Sequence, residues 1–230
     1  MSDKRPVMII VIDGPVGAGK STIAKAVSEK LGCVHLDTGA MYRAVGYYAL
    51  LKGVDTQNET AVSKLLLDFS LEVIFNQGLQ ETRVNGQNIT SDIRQPEVSI
   101  AASNVAKWPA VRAEMVRIQR KIAENISVVA DGRDMGTVVF PDASVKIFLT
   151  ASVHERASRR HCELLRAGCD ISLECVLDDM ILRDTQDSTR QLDPLVKAHD
   201  AVQVDTTGLS IPQVVDIILK IAEATECGKS

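Results

Sequence analysis

The chain contains no long hydrophobic run, and nothing in it approaches the roughly 20 consecutive apolar residues that a membrane-spanning helix needs. The longest apolar run near the N-terminus, Val7–Ile12, is stopped by Asp13. Lys4 and Arg5 ahead of it resemble the charged region of a signal peptide, but six apolar residues are too few for its hydrophobic region. A cytoplasmic protein with no membrane partner is therefore expected. A basic excess is also lacking, since 26 Lys and Arg stand against 30 Asp and Glu, for a net charge of −4. Surfaces that grip nucleic acid are strongly basic, so no nucleic-acid partner is expected, although a local pocket of arginines stays open. The five cysteines, Cys33, Cys162, Cys169, Cys175 and Cys227, are odd in number and irregularly spaced, which gives no disulfide framework. His161, Cys162, Cys169 and Cys175 lie close in sequence, but the Cys-x-x-Cys pair usual in structural zinc sites is missing. Small buried or idle thiols are the better reading. Internal repeats and low-complexity tracts are absent too.

What is present is the balance of an ordinary globular protein, with 45% hydrophobic and 24% charged residues. At 230 residues the chain is long enough to bury a sizeable core, and one core with insertions is expected. Short apolar runs rich in β-branched residues occur at Val7–Ile12, Val34–Leu36, Ser127–Ala130, Val145–Leu149 and Ala201–Val204. Helical patterns separate most of them, which predicts βαβ units and a parallel sheet, an α/β fold. Their near-continuous hydrophobicity fits strands covered on both faces. Ser152–Glu155 and Ser210–Gln213 have capping-box spacing, the second with Pro212 in a tolerated first-turn position. Gly32 is placed to close the helix that starts near Ser21. One segment breaks the rhythm. Leu71–Phe75, Thr82–Val84 and Gln87–Ile89 read as short antiparallel strands, with turns at Asn76-Gln77-Gly78 and Asn85-Gly86. This predicts a small β insertion between the second and third core strands. The last four residues are expected to fray.

The sharpest motif is Gly14-Pro15-Val16-Gly17-Ala18-Gly19-Lys20-Ser21, which fits G-x-x-x-x-G-K-[ST] and lies between a predicted strand and a predicted helix. A polyphosphate needs many donors converging on one concave site. Glycines let the backbone curl so that successive N–H groups point inward, and the following helix adds its positive end. Lys20 supplies a mobile cation for the β and γ phosphates, and Ser21, followed by Thr22, a hydroxyl for Mg2+. The alternative, a glycine-rich turn with no ligand, has no need of the Lys-Ser pair. The loop alone does not say where the phosphate goes. Guanine-reading Asn-Lys-x-Asp is absent, and Asp205-Thr206-Thr207-Gly208 lies after the last strand, far from where a GTPase switch belongs. Ser127–Ala130 followed by Asp131 is a partial match to the acidic strand end of a mechanical ATPase.

Three further segments carry a resemblance. They are Leu36-Asp37-Thr38-Gly39-Ala40-Met41-Tyr42-Arg43, then Ala130-Asp131-Gly132-Arg133-Asp134-Met135-Gly136-Thr137-Val138-Val139-Phe140-Pro141, then Arg183-Asp184 with Asp187-Ser188-Thr189-Arg190 and Asp193-Pro194-Leu195. In order and spacing they resemble bacterial cytidylate kinase, a nucleoside monophosphate kinase, along nearly the whole chain. The resemblance implies a P-loop kinase: a five-stranded parallel sheet flanked by helices, a monophosphate-binding insertion with a small antiparallel sheet, and a short helical lid. It implies a single domain over 1–230, with the core at about 1–38, 106–151 and 188–230, the insertion at about 39–105 and the lid at about 152–187. It implies ATP as phosphate donor, Mg2+, CMP and dCMP as acceptors, and a monomer.

Residue roles follow from the same resemblance. Ser103, Arg112 and Asp134 match residues that read the cytosine ring. A carboxylate accepts from cytosine's exocyclic amine and repels the uracil carbonyl, while an arginine donates to O2 and N3. The alternative for Asp134 is an ion pair with neighbouring Arg133. Arg43, Arg133 and Arg190 match arginines around the acceptor phosphate, where guanidinium forks offset the repulsion between two phosphates. Arg183 and Asp187 match the sugar-binding pair. Their i, i+4 spacing brings them to one helical face, so an ordinary helix ion pair is the alternative. Arg156, Arg159 and Arg160 share a face in the segment that resembles the lid over ATP, with a solvated basic face as the alternative. Asp37 and Asp131 are candidates for orienting waters around Mg2+. Thr38 stands where some members carry serine, and keeps the hydroxyl. Ser21-Thr22 replaces the Gly-Thr of some members, which leaves the better Mg2+ ligand in place.

Overall fold

The computed structural model describes residues 7–166 and 168–227. Lys4, Arg5 and the last three of the residues expected to fray lie outside the described residues. In chain order the elements run β1 (Ile9–Asp13), α1 (Lys20–Leu31), β2 (Val34–Asp37), α2 (Thr38–Leu51), α3 (Glu59–Leu65), β3 (Leu71–Asn76), β4 (Leu79–Val84), β5 (Gln87–Asn88), α4 (Pro96–Val105) and α5 (Pro109–Ala123). They continue with β6 (Val128–Gly132), β7 (Val145–Thr150), α6 (Val153–Arg166), α7 (Leu173–Thr189), β8 (Val202–Asp205) and α8 (Ile211–Cys227). Each of the five apolar runs becomes a strand of one parallel sheet in the order β2-β6-β1-β7-β8. The chain divides into two compact units, Met1–Val7 with Gly32–Val128, and Met8–Leu31 with Val129–Ser230. Among the described residues no helix is long and apolar enough to cross a membrane.

The second of these units holds the strand whose end becomes the phosphate loop. Ile10, Val11 and Ile12 on β1 and Ile147 and Leu149 on β7 are buried on both faces, as unbroken apolar runs require. β1 and β7 run parallel with Ile10 opposite Val145 and Asp13 opposite Phe148, and β7 pairs in parallel with β8. Ile23, Ala24 and Val27 of α1 and Val214, Val215, Ile218 and Ala222 of α8 supply buried apolar stripes at helical spacing. Gly32 ends α1 at a φ of 65°. Both capping boxes form only in part. Ser152 Oγ accepts from Glu155 N at 3.2 Å, but the Glu155 carboxylate accepts from Arg159 instead of reaching back. At α8 the return half forms, with Gln213 Oε1 accepting from Ser210 N at 2.9 Å.

The other unit carries the β insertion. β3 pairs antiparallel with β4, and β4 with β5. Gln77-Gly78 and Asn85-Gly86 have positive φ at both positions, the type I′ geometry whose twist suits two-residue hairpins. β4 begins at Leu79, three residues before the predicted start. Gln80 and Glu81, half-buried on opposite faces, hide the start of the strand in the sequence, because polar residues leave no apolar signal. β5 ends before Ile89, which is buried nonetheless. Here α2 packs closely on α4. A Cβ at Gly46 would lie 2.7 Å from Ala102 N and 3.0 Å from Ala101 Cβ. Gly46→Ala gains about 1 kcal/mol of helix propensity but forces two backbones apart, at about 1–3 kcal/mol. The clash is with backbone and should prevail, lowering the thermal midpoint by a few degrees in calorimetry.

Candidate active site

The phosphate loop leaves the C-terminal end of β1 at Gly14, whose φ is 150°. A Cβ there would sit 2.1 Å from the Leu149 carbonyl oxygen, so only glycine lets the loop start beside β7. Pro15, Val16, Gly17 and Gly19 are half-buried, Ala18 is buried, and Ser21 and Thr22 are exposed in the first turn of α1. Lys20 is 6% exposed, and its Nζ donates to Pro15 O at 2.7 Å. Burial, followed by the Arg133 guanidinium, pushes the Lys20 ammonium down to about 7, against the pull of Asp131, Asp187 and Asp13. A phosphate approaching this group would favour its charged form. Ser21 Oγ donates to Asp131 Oδ2 at 2.7 Å.

Two residues with no role assigned from the sequence take backbone N–H groups far along the chain. Asp184 of α7 accepts from Val16 N at 3.1 Å and from Arg156 Nη1 at 2.6 Å. Arg156 also donates to Val16 O at 2.8 Å and to Ala151 O at 3.1 Å. Ala157, Val176 and Met180 form a buried apolar cluster against which Val16 packs. The arginines expected to share one face diverge. Arg156 is buried against the loop, Arg159 donates to Thr206 O at 2.8 Å and pairs with Glu155, and Arg160 pairs with Glu163 at 3.1 Å. Each like charge has found its own acceptor, which relieves the repulsion without convergence on one point. The second unpredicted residue is Asp13, the last of β1, whose oxygens accept from Met135 N at 2.9 Å and Gly136 N at 2.8 Å.

The end of β6 carries the next group. Arg133 Nε donates to Asp187 Oδ2 at 2.7 Å and Nη1 to Gly132 O at 3.2 Å. Asp134 is 2% exposed and pairs with Arg190 Nη2 at 3.4 Å. Arg190 caps α7 and donates through Nε to Asp193 O at 2.7 Å. The ordinary helix ion pair that stood as the alternative for Arg183 and Asp187 gives way to other partners. Arg183 bonds back to Asp179 at 3.1 Å, while Asp187 serves Arg133 and, at 4.0 Å, Arg190. Helical spacing puts Asp179 as near to Arg183 as Asp187 is, and the arginines beyond the helix decide which carboxylate is taken.

In the other unit, Asp37 caps α2 by accepting from Ala40 N at 2.8 Å. It also accepts from Arg43 Nη2 at 2.9 Å and from Arg94 Nη2 at 3.2 Å. Burial works against its charge, but Arg43 and Arg94 more than offset this and hold the carboxyl below the usual carboxylate range. Its oxygens are thus committed to a helix cap and two guanidiniums, a different task from orienting waters around a metal. Arg94 has no motif of its own and was not legible in the sequence. Arg43 Nε is buried and, among the described residues, makes no hydrogen bond. Thr38 is the first residue of α2 and is buried. Arg112 of α5 is 3% exposed, donates to Ala106 O at 3.3 Å and lies 5.8 Å over the Tyr42 ring. Ser103 is exposed on α4.

His161 Nε2 is engaged with Ile171 O at 2.9 Å, and Cys33, Cys162, Cys169 and Cys175 are thiols outside any disulfide. Among the described residues no three His, Cys, Asp or Glu side chains form a group able to hold a metal ion. The side chain of Cys227 lies outside the described residues.

A family model described as cytidylate kinase matches residues 10–224. A protein named cytidylate kinase from Oceanobacillus iheyensis is 48% identical over 210 residues, covering 91% of this chain and 91% of that one. Another of that name from Bacillus cereus is 49% identical over 219 residues, covering 95% and 96%. Among solved structures, the match to shikimate kinase from Acinetobacter baumannii covers 95% of this chain and 94% of that one, at 14% identity and a TM-score of 0.45. A match from residue 10 to 224, with close to half of the aligned positions identical to curated relatives of that name, means that this chain belongs to the cytidylate kinase family.

Proposed function

We propose that the protein transfers the γ-phosphoryl group of ATP to CMP and dCMP, yielding ADP with CDP or dCDP. The observation that carries this reading is the buried Lys20 ammonium in the phosphate loop, with Arg133 and the Asp134–Arg190 pair in the same unit. A grip for a triphosphate, an arginine for a second phosphate and a buried carboxylate for an amine are what ATP-to-CMP transfer requires. A phosphate oxygen of CMP attacks the γ-phosphorus, the bond to the bridging oxygen breaks, and ADP leaves. No side chain forms a bond. The loop N–H groups from Gly14 to Ser21 hold the donor, and Lys20, Arg43, Arg133 and Arg190 offset charge at the oxygens. Asp134, Arg112 and Ser103 read the base, Thr38 and Arg43 meet the sugar or phosphate, and Arg183 and Asp187 serve the sugar.

The oxygen-only pair of Ser21 and Asp131, 2.7 Å apart, fits a hard divalent cation. Ser21 would hold Mg2+ directly and Asp131 through water. When bound, the ion would neutralise charge on the β and γ oxygens. Asp37, with its oxygens taken, is not assigned to it. Residues 152–187 are assigned to the lid, where Arg156 and Asp184 set the loop and closure excludes water. The reading also takes the protein as a cytoplasmic monomer with no nucleic-acid or membrane partner.

A coupled assay of ADP release, with and without CMP, tests it. Release should depend on CMP or dCMP and be much slower with UMP, AMP or shikimate. ADP release that ignores CMP would mark a hydrolase, and tight ATP binding without release would mark a regulatory module.

A further inference from the structure

Asp13 is 4% exposed, and both of its carboxylate oxygens are spent on the backbone of another segment. Oδ1 accepts from Met135 N and Oδ2 from Gly136 N, at 2.9 and 2.8 Å. Those two amides follow directly on Arg133 and Asp134. The packing leaves the turn little room, since a Cβ at Gly136 would lie 3.4 Å from Asp13 Oδ2 and 3.3 Å from Lys146 Cδ. On its other side Asp13 adjoins Gly14, the first residue of the phosphate loop. One buried side chain thus joins the start of the donor loop to the turn that projects Arg133 and Asp134.

We propose that Asp13 is a positioning residue for acceptor recognition, its bidentate grip on Met135 and Gly136 aiming Asp134 at the base and holding Arg133 beside the phosphate loop. The proposal rests on the reading of the protein as a CMP phosphotransferase. A neutral side chain would fill the same space in the core, but it would accept from only one of the two amides. Burial, opposed by the two backbone N–H bonds, raises the Asp13 carboxyl to about 6, with Asp134 raising it and Lys20 lowering it further. The other charged groups on neighbouring elements are engaged elsewhere, Lys146 with Asp200 and the Pro141 carbonyl, and Asp131 with Ser21. A raised carboxyl is a cost to folding at neutral pH: the folded chain binds a proton in the window between 3.8 and about 6, so stability falls as pH rises through it. Keeping the charge therefore serves something other than stability, and protonation frees one amide of its acceptor.

The test is the ratio of kcat/KM for CMP to that for UMP, measured between about pH 8 and pH 5, because ionisation of the substrate phosphate cancels in the ratio. The wild-type ratio should fall at least roughly fivefold on acidification through pH 6, the scale of a small misplacement of a reading group. Asp13→Asn should show the low ratio already at pH 8 and no pH dependence, with a thermal midpoint no lower than wild type. Hydrogen-exchange protection of Met135 and Gly136 should fall with acid in the wild type and be low throughout in the variant. A flat wild-type ratio with unchanged protection overturns the proposal. So does a variant that loses CMP activity, UMP activity and thermal stability in parallel. If the wild type phosphorylates no CMP, the acceptor reading fails, and the exchange measurement still decides whether Asp13 holds the turn.

Discussion

Lys20→Ala should lower kcat at least about 100-fold, with little change in the KM for CMP. Charge at the γ-phosphoryl oxygens shifts as the bond to ADP breaks, and removing one preorganised donor from such a site costs about 100- to 1,000-fold. The environment of Lys20 argues for the upper part of that range, because its ammonium is buried and water cannot replace it. The same burial separates function from fold. The unfolded side chain keeps its proton up to its ordinary value of 10.5, whereas the folded one loses it near 7. Between those values the unfolded chain binds more protons, so this group makes stability rise with pH, and its charge at neutral pH is a cost. The variant should therefore melt close to the wild type while its turnover collapses. ATP favours the protonated lysine, so wild-type ATP affinity should decline as pH rises above about 7, with proton uptake on binding visible by calorimetry in buffers of different ionisation enthalpy. The variant should show no such uptake. Near-normal turnover in Lys20→Ala would remove the role assigned to it.

The second large effect is expected at Asp134. Asp134→Ala should reduce the preference for CMP over UMP by about 5- to 150-fold, which is the roughly 1–3 kcal/mol a good base contact contributes. Asp134 is 2% exposed and pairs with Arg190, so truncation also releases an arginine assigned to the phosphate. That second loss falls on every monophosphate alike and cancels in the ratio. ATP affinity should change little. Asp134→Asn should recover UMP relative to CMP, because its amide can donate to the uracil carbonyl that a carboxylate repels. Equal losses for CMP, UMP and ATP would make Asp134 a purely structural residue.

Contiguous chemistry was legible in the chain itself. The strand-loop-helix setting of Gly14–Ser21, the positive-φ turns at Gln77-Gly78 and Asn85-Gly86, and the buried strands all depend on residues within a few positions of one another. The start of β4 is not legible because polar Gln80 and Glu81, though half-buried, break the apolar signal. The arginines were legible as charges but not as partners. Arg183 turned to Asp179, Arg133 took Asp187, and Arg156, Arg159 and Arg160 each went to a different acceptor. Spacing says which carboxylates lie within reach, and reach alone leaves several choices.

In the phosphate loop, glycine, lysine and serine at fixed spacing encode a local backbone shape. Local shape needs only near neighbours, so the sequence by itself determined the donor loop, the strand and helix pattern and the hairpins. Asp13, Asp184 and Arg94 had no such signal. Each acts on a segment far along the chain, Asp13 on Met135 and Gly136, Asp184 on Val16, and Arg94 on Asp37. A buried carboxylate or guanidinium takes whichever donor or acceptor the packed chain brings within about 3 Å. Only the tertiary structure decides which one that is.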